Sequence, residues 1–188
     1  MLKSKVGVLV FSVLILFALY FIINQSHQLN GNNEENIVKA IHSFDGYEDQ
    51  DSIEIVKIID SKKDRTVAFL YGSNPGYIHF IKNNSGNYQV SEMESHSGEA
   101  LSTFKVQLVD KIGINNLLVV TNNDNPVTKM KVQIIGETTI ERNFDVGEKT
   151  ASLIKFKDMP KQKDSGFEFN YEYFDKNGKQ ISEGDLED

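Results

Sequence analysis

The chain contains no cysteine and no tryptophan, and only three prolines in 188 residues. Without a thiol there is no disulfide, no thiolate nucleophile, no cysteine-ligated zinc and no lipid-bearing cysteine to make the chain a lipoprotein. Stability must come from burial alone, and 12 Phe and 7 Tyr are present to supply it. Charge is missing locally as well. No acid precedes Glu34, and no Lys or Arg falls between Lys5 and Lys39.

Within that charge-free stretch lies one long apolar run, the 18 residues from Val6 to Ile23. At about 1.5 Å per helical residue it would reach roughly 27 Å, close to the ~30 Å hydrocarbon core of a bilayer. A buried helix of a soluble protein would show a polar stripe, and this run has none. A cleaved leader would have a shorter core, about 7–15 residues, followed by small residues at the cut. Here Asn24-Gln25-Ser26-His27 follows instead. The expectation is an uncleaved signal-anchor helix over 6–23 behind a cytoplasmic tail of residues 1–5. Lys3 and Lys5 lie before the helix, so the N-terminus is expected inside and the rest of the chain outside.

Beyond the anchor stand 18 cations and 27 acids, a formal charge of −9. Such a surface repels nucleic acid and anionic headgroups, and would tolerate a basic partner or divalent cations. Residues 24–33 (NQSHQLNGNN) read as a polar linker. Glu34–Phe44 carries Ile37, Ala40, Ile41 and Phe44 at helical spacing, with Asn33 as a candidate N-cap. Four strand patterns follow, Ile53–Asp60, Arg65–Tyr71, Tyr77–Lys82 and Asn87–Glu92, joined by Gly-, Asn- and Ser-rich turns. They predict a short helix with a four-stranded antiparallel meander over 34–98.

After the small polar stretch 94–100 the alternation becomes cleaner. Phe104, Val106 and Leu108 share a face, as do Met130, Val132 and Ile134, and Phe167, Phe169, Tyr171 and Tyr173; Leu117–Val120 is apolar on both sides. Residues 99–188 are therefore expected to form an antiparallel β-sandwich-like half. The order of elements, closing on the Tyr171–Lys179 hairpin, resembles in style anchored extracytoplasmic proteins of Gram-positive bacteria. That likeness implies a location and a fold class.

No pattern specifies chemistry. The four histidines, His27, His42, His79 and His96, have no i, i+2 or i, i+4 partner to share a metal. Ser95-His96-Ser97-Gly98-Glu99 lacks the G-x-S-x-G frame of a nucleophile elbow. The acidic loop Asp45–Asp51 and the Asn122–Asn125 run do not fit a calcium-loop frame and read as Asx turns. No catalytic, cofactor-binding or metal residue is assigned. The speculative interaction surface is Tyr71, Tyr77 and Tyr88, amphipathic rings near the mouth of the meander. The expected function is a non-enzymatic binding or accessory module of the bacterial cell envelope, with an envelope protein as partner. An envelope hydrolase built on distributed carboxylates and a divalent-cation-responsive domain are the alternatives.

Overall fold

A computed structural model describes residues 29–109, 116–161 and 166–186. The expected tail 1–5, the anchor 6–23 and the first half of the linker, 24–28, lie outside them. Among the described residues no helix is long and apolar enough to cross a membrane.

The protein is mainly β. Among the described residues one α-helix, α1 (Glu34–His42), precedes a four-stranded antiparallel meander of β1 (Ile53–Asp60), β2 (Asp64–Tyr71), β3 (Asn74–Lys82) and β4 (Tyr88–Ser95), paired in chain order. The helix starts where the sequence says it should. The Asn33 side chain accepts from the Asn36 amide at 2.9 Å, and Glu34 and Glu35 occupy the positive end of the dipole. Ser43 Oγ returns to the Ala40 carbonyl, and Gly46, at φ +91°, turns the chain away.

Seven more strands build two further sheets. β5 (Leu101–Val106), β6 (Asn116–Thr121) and β9 (Ala151–Lys155) form one, in the order β5-β6-β9. β7 (Lys129–Ile135), β8 (Thr139–Asp145), β10 (Glu168–Phe174) and β11 (Gln180–Ile181) form the other, in the order β11-β10-β7-β8. Side-chain alternation stacks the layers. Ile37, Ala40 and Ile41 of the helix pack on Val67, Phe69, Ile78 and Phe80 of the meander. The opposite face of the meander, Ala68, Leu70 and Tyr77, meets Phe104, Val106, Leu118 and Val120. Leu117 and Val119 point the other way, onto Met130, Val132, Ile134 and Tyr173. The three-stranded sheet is thus the middle layer, and β6 is buried at every position because both of its faces are covered.

The end of the expected linker is docked. The Gly31 amide donates to the Tyr88 carbonyl at 2.9 Å, and Asn30 bridges to Gln89. The Arg65 guanidinium reaches the Gly31 carbonyl at 2.5 Å, forks onto Asp60 at 2.6 and 2.8 Å, and lies over the Tyr88 ring at 4.4 Å. A Cβ on Gly31 would stand 2.7 Å from the Phe80 ring, so only glycine lets the strap lie this close.

Candidate functional site

Among the described residues, three places that bring chemistry-bearing side chains together bear on function. The first is a trio between the meander and the middle layer. Thr66 and His79 are cross-strand partners on β2 and β3. The imidazole Nε2 donates to Asp64 Oδ1 at 3.1 Å, because a carboxylate only accepts, and in the neutral ring of that tautomer Nδ1 accepts from Thr66 Oγ1 at 3.1 Å. Hydroxyl, imidazole and carboxylate in a row suggest an activated nucleophile. However, Thr66, His79 and Asp64 are each 1% exposed, so no substrate reaches the hydroxyl. Asp64 also accepts from the Val109 amide and from Ser61 Oγ. The trio ties β2, β3 and the chain beyond β5 together.

The second is a hollow of about 560 Å³ formed by the turns around Asn125–Thr128 and Val146–Glu148. Of its two acids, Glu148 and Asp175, the second is engaged in its own hairpin, accepting from the amides of Lys179 and Asn177, and these hydrogen bonds hold its carboxyl below the usual carboxylate range.

The third is a cleft of about 220 Å³ where edge strand β5 faces β10. Leu101 and Thr103 form one wall and Tyr171 and Tyr173 the other; His96, Glu99, Glu183 and Leu186 close the end. Strand alternation puts the two tyrosines on one face, with ring centroids 6.4 Å apart and planes only 22° from parallel. His96 is held between Glu94 Oε1 at 3.2 Å and Glu99 Oε2 at 3.3 Å, with its ring 4.8 Å from Phe104. Ser102 Oγ donates to the same Glu99 oxygen at 2.7 Å. The C-terminal turn is fastened to this wall because the Ala100 amide donates to the Leu186 carbonyl.

Burial pushes both cleft phenols up. For Tyr173 the nearby Glu183 adds to the effect; for Tyr171 the Thr103 hydrogen bond partly opposes it. Tyr77, buried against Phe104 and facing Glu92, is raised in the same way. A phenol whose folded pKa lies above its unfolded value of ~10 contributes stability that is complete below pH ~10 and is lost as pH rises through the folded value. Alkaline titration followed by phenolate absorbance should therefore show these three rings ionising late and together with unfolding. Reversible ionisation near pH 10 by every tyrosine would contradict this.

The speculative tyrosine surface does not assemble. Tyr71 packs against Tyr47 at 5.0 Å on the helix side of the meander. Tyr77 is 2% exposed and faces the middle layer. Tyr88 pairs with Lys82, at the opposite end of β3 from Asn74, the partner of Tyr71. In the acidic loop, Glu48 accepts from Gly46, and Asp49 from Asp51 and Ser52, so these acids cap their own turns. Asn122 and Asn125 are buried, reaching the Ser73 carbonyl and the Val127 and Gly147 carbonyls. Among the described residues no three His, Asp or Glu side chains are grouped to hold a metal ion.

In the sequence, His96 and Glu99 read only as part of a small polar stretch, and the Tyr171–Tyr173 row only as strand alternation. The available signal is weak: two tyrosines, Tyr171 and Tyr173, on one face of a strand. Comparison with known proteins adds no assignment, since the chain matches no family model, no curated protein and no solved structure.

Proposed function

We propose that this chain is a single-pass, membrane-anchored extracytoplasmic protein, acting as a non-enzymatic binding or accessory module of the bacterial cell envelope. On this reading residues 6–23 span the bilayer, the N-terminus is cytoplasmic, and the two sheets sharing the Leu117–Val132–Tyr173 core form a sandwich-like half. The 18-residue apolar run with lysines on one side supports the topology. The recognition role rests on one observation, the β5–β10 cleft. Its Leu101 and Tyr173 walls belong to the core, and two of its polar groups are not engaged by the fold. Tyr173 is 6% exposed, yet its phenol makes no hydrogen bond among the described residues, and Glu183 makes no ion pair there. Accessible polar groups without partners suit binding of a complementary ligand.

The missing cysteines make the topology easy to test. Ser4→Cys and Ser85→Cys each place one thiol in a thiol-free chain, and Ser85 lies on the exposed β3–β4 turn. In intact cells a membrane-impermeant maleimide should label Ser85→Cys and should reach Ser4→Cys only after lysis. Equal labelling of both before lysis would end the anchored reading. Cross-linking in cells should recover a stoichiometric envelope protein, and recovering none under several growth conditions would count against the accessory role.

A further inference from the structure

We infer that the β5–β10 cleft binds one cationic head carried on an apolar stem, the chemistry of a lysine or arginine side chain. The inference rests on reading this cleft as a recognition site and adds the class of ligand. The Tyr173 phenol is the most telling group. The ring is 6% exposed, while its hydroxyl opens on the cleft and forms no hydrogen bond among the described residues, so it stays available to a ligand. Beside it stand the Glu183 and Glu99 carboxylates. Glu183 makes no ion pair among the described residues, and Glu99 is shared by His96 and Ser102. The stacked rings of Tyr171 and Tyr173 present aromatic surface, and Leu101 and Leu186 supply an apolar lining.

Each rival class of ligand fails on one of these features. An anion meets two carboxylates. A neutral apolar group would desolvate those carboxylates and the free phenol with nothing in return. A bound metal would need a ligand group that the described residues do not provide. Size narrows the choice further, since about 220 Å³ is below the ~300–1,000 Å³ typical of small-molecule pockets and suits a single side chain or head group. An ammonium or guanidinium satisfies all of the groups at once. Its charge meets the carboxylates, its N–H groups donate to the phenol oxygen, and its methylenes cover the rings. The same two strands already hold such a contact two residues further on, where Lys105 Nζ lies 4.6 Å from the centre of the Phe169 ring.

The test is saturation-transfer NMR on the full chain in detergent micelles, with three probes: Nα-acetyl-lysine methylamide, its uncharged norleucine counterpart, and n-butylammonium. The lysine probe should receive saturation at its side-chain methylenes and bind at least about fivefold more tightly than the norleucine probe. Glu183→Gln should erase that preference, lowering the affinity of the lysine probe to that of the norleucine probe. Butylammonium binding as tightly as the lysine probe would support the inference with a free amine as the source. Selective binding of the lysine probe would support it with a chain-borne side chain as the source. Equal binding of the lysine and norleucine probes would overturn the cation inference and leave the cleft a recognition site. No transfer to any probe would overturn both.

Discussion

Replacing Asp64 with alanine should destabilise the protein by about 3–5 kcal/mol, among the largest effects of any single substitution. Three donors depend on this one carboxylate: His79 Nε2 at 3.1 Å, the Val109 amide at 3.0 Å and Ser61 Oγ at 3.1 Å. The carboxylate itself is 1% exposed, so water does not replace it. Removing it strands an imidazole N–H and a backbone N–H in the interior. Each buried donor left without an acceptor costs about 1–3 kcal/mol. Asp64→Asn is the discriminating control. Its amide oxygen can keep the His79 and Val109 bonds, and its NH₂ can donate to Ser61, so most of the stability should survive. Thr66→Val should fall between the two, because it removes only the hydroxyl that donates to His79 Nδ1. Urea denaturation of the full chain, followed by tyrosine near-ultraviolet circular dichroism, would rank the three. A loss below about 1 kcal/mol for Asp64→Ala would mean the trio does not hold the layers together.

Phe104→Ala should cost a similar amount, about 3–5 kcal/mol, and should also disturb the cleft. The ring is 1% exposed and lies 5.0 Å from Tyr77 and 4.8 Å from His96. Truncation opens a cavity between the meander and the middle layer and removes the surface against which His96 is set. The His96 ring should then give the NMR signature of a solvated, averaging imidazole. Phe69→Ala is the matched control. It deletes an equally buried ring from the helix side of the meander, far from the cleft in layer order. It should cost about as much and leave His96 untouched. If both variants altered His96 alike, the change would reflect general loosening and the specific link through Phe104 would be lost.

The helix and the meander could be read from the sequence because their signals are local. Asn33, the two glutamates after it and the Ile37–Ala40–Ile41 spacing specify α1 within one short segment. β1 runs over the expected residues, while β2 to β4 begin or end a few residues off. The largest difference is at Gly72–Gly76. The sequence predicts a turn there, but Asn74, Pro75 and Gly76 belong to β3. Gly76 sits where a Cβ would lie 2.6 Å from the Phe69 ring, so that glycine serves close packing inside a strand.

The sequence by itself determined the periodicities: which residues of each strand share a face, that Leu117–Val120 is buried on both sides, and that one segment is long and apolar enough for a membrane. Those properties depend on the spacing of side chains along one backbone. Only the tertiary structure decided what each face meets. It set β6 between two other sheets and brought Ala151–Lys155 back to pair with it. It also sealed Thr66 and His79 inside and closed the cleft with residues near 96 and near 183, more than eighty positions apart. Contacts of that kind follow from how layers of similar apolar faces choose among one another. The choice depends on shape and on the summed burial of the whole chain, which no short stretch of sequence carries.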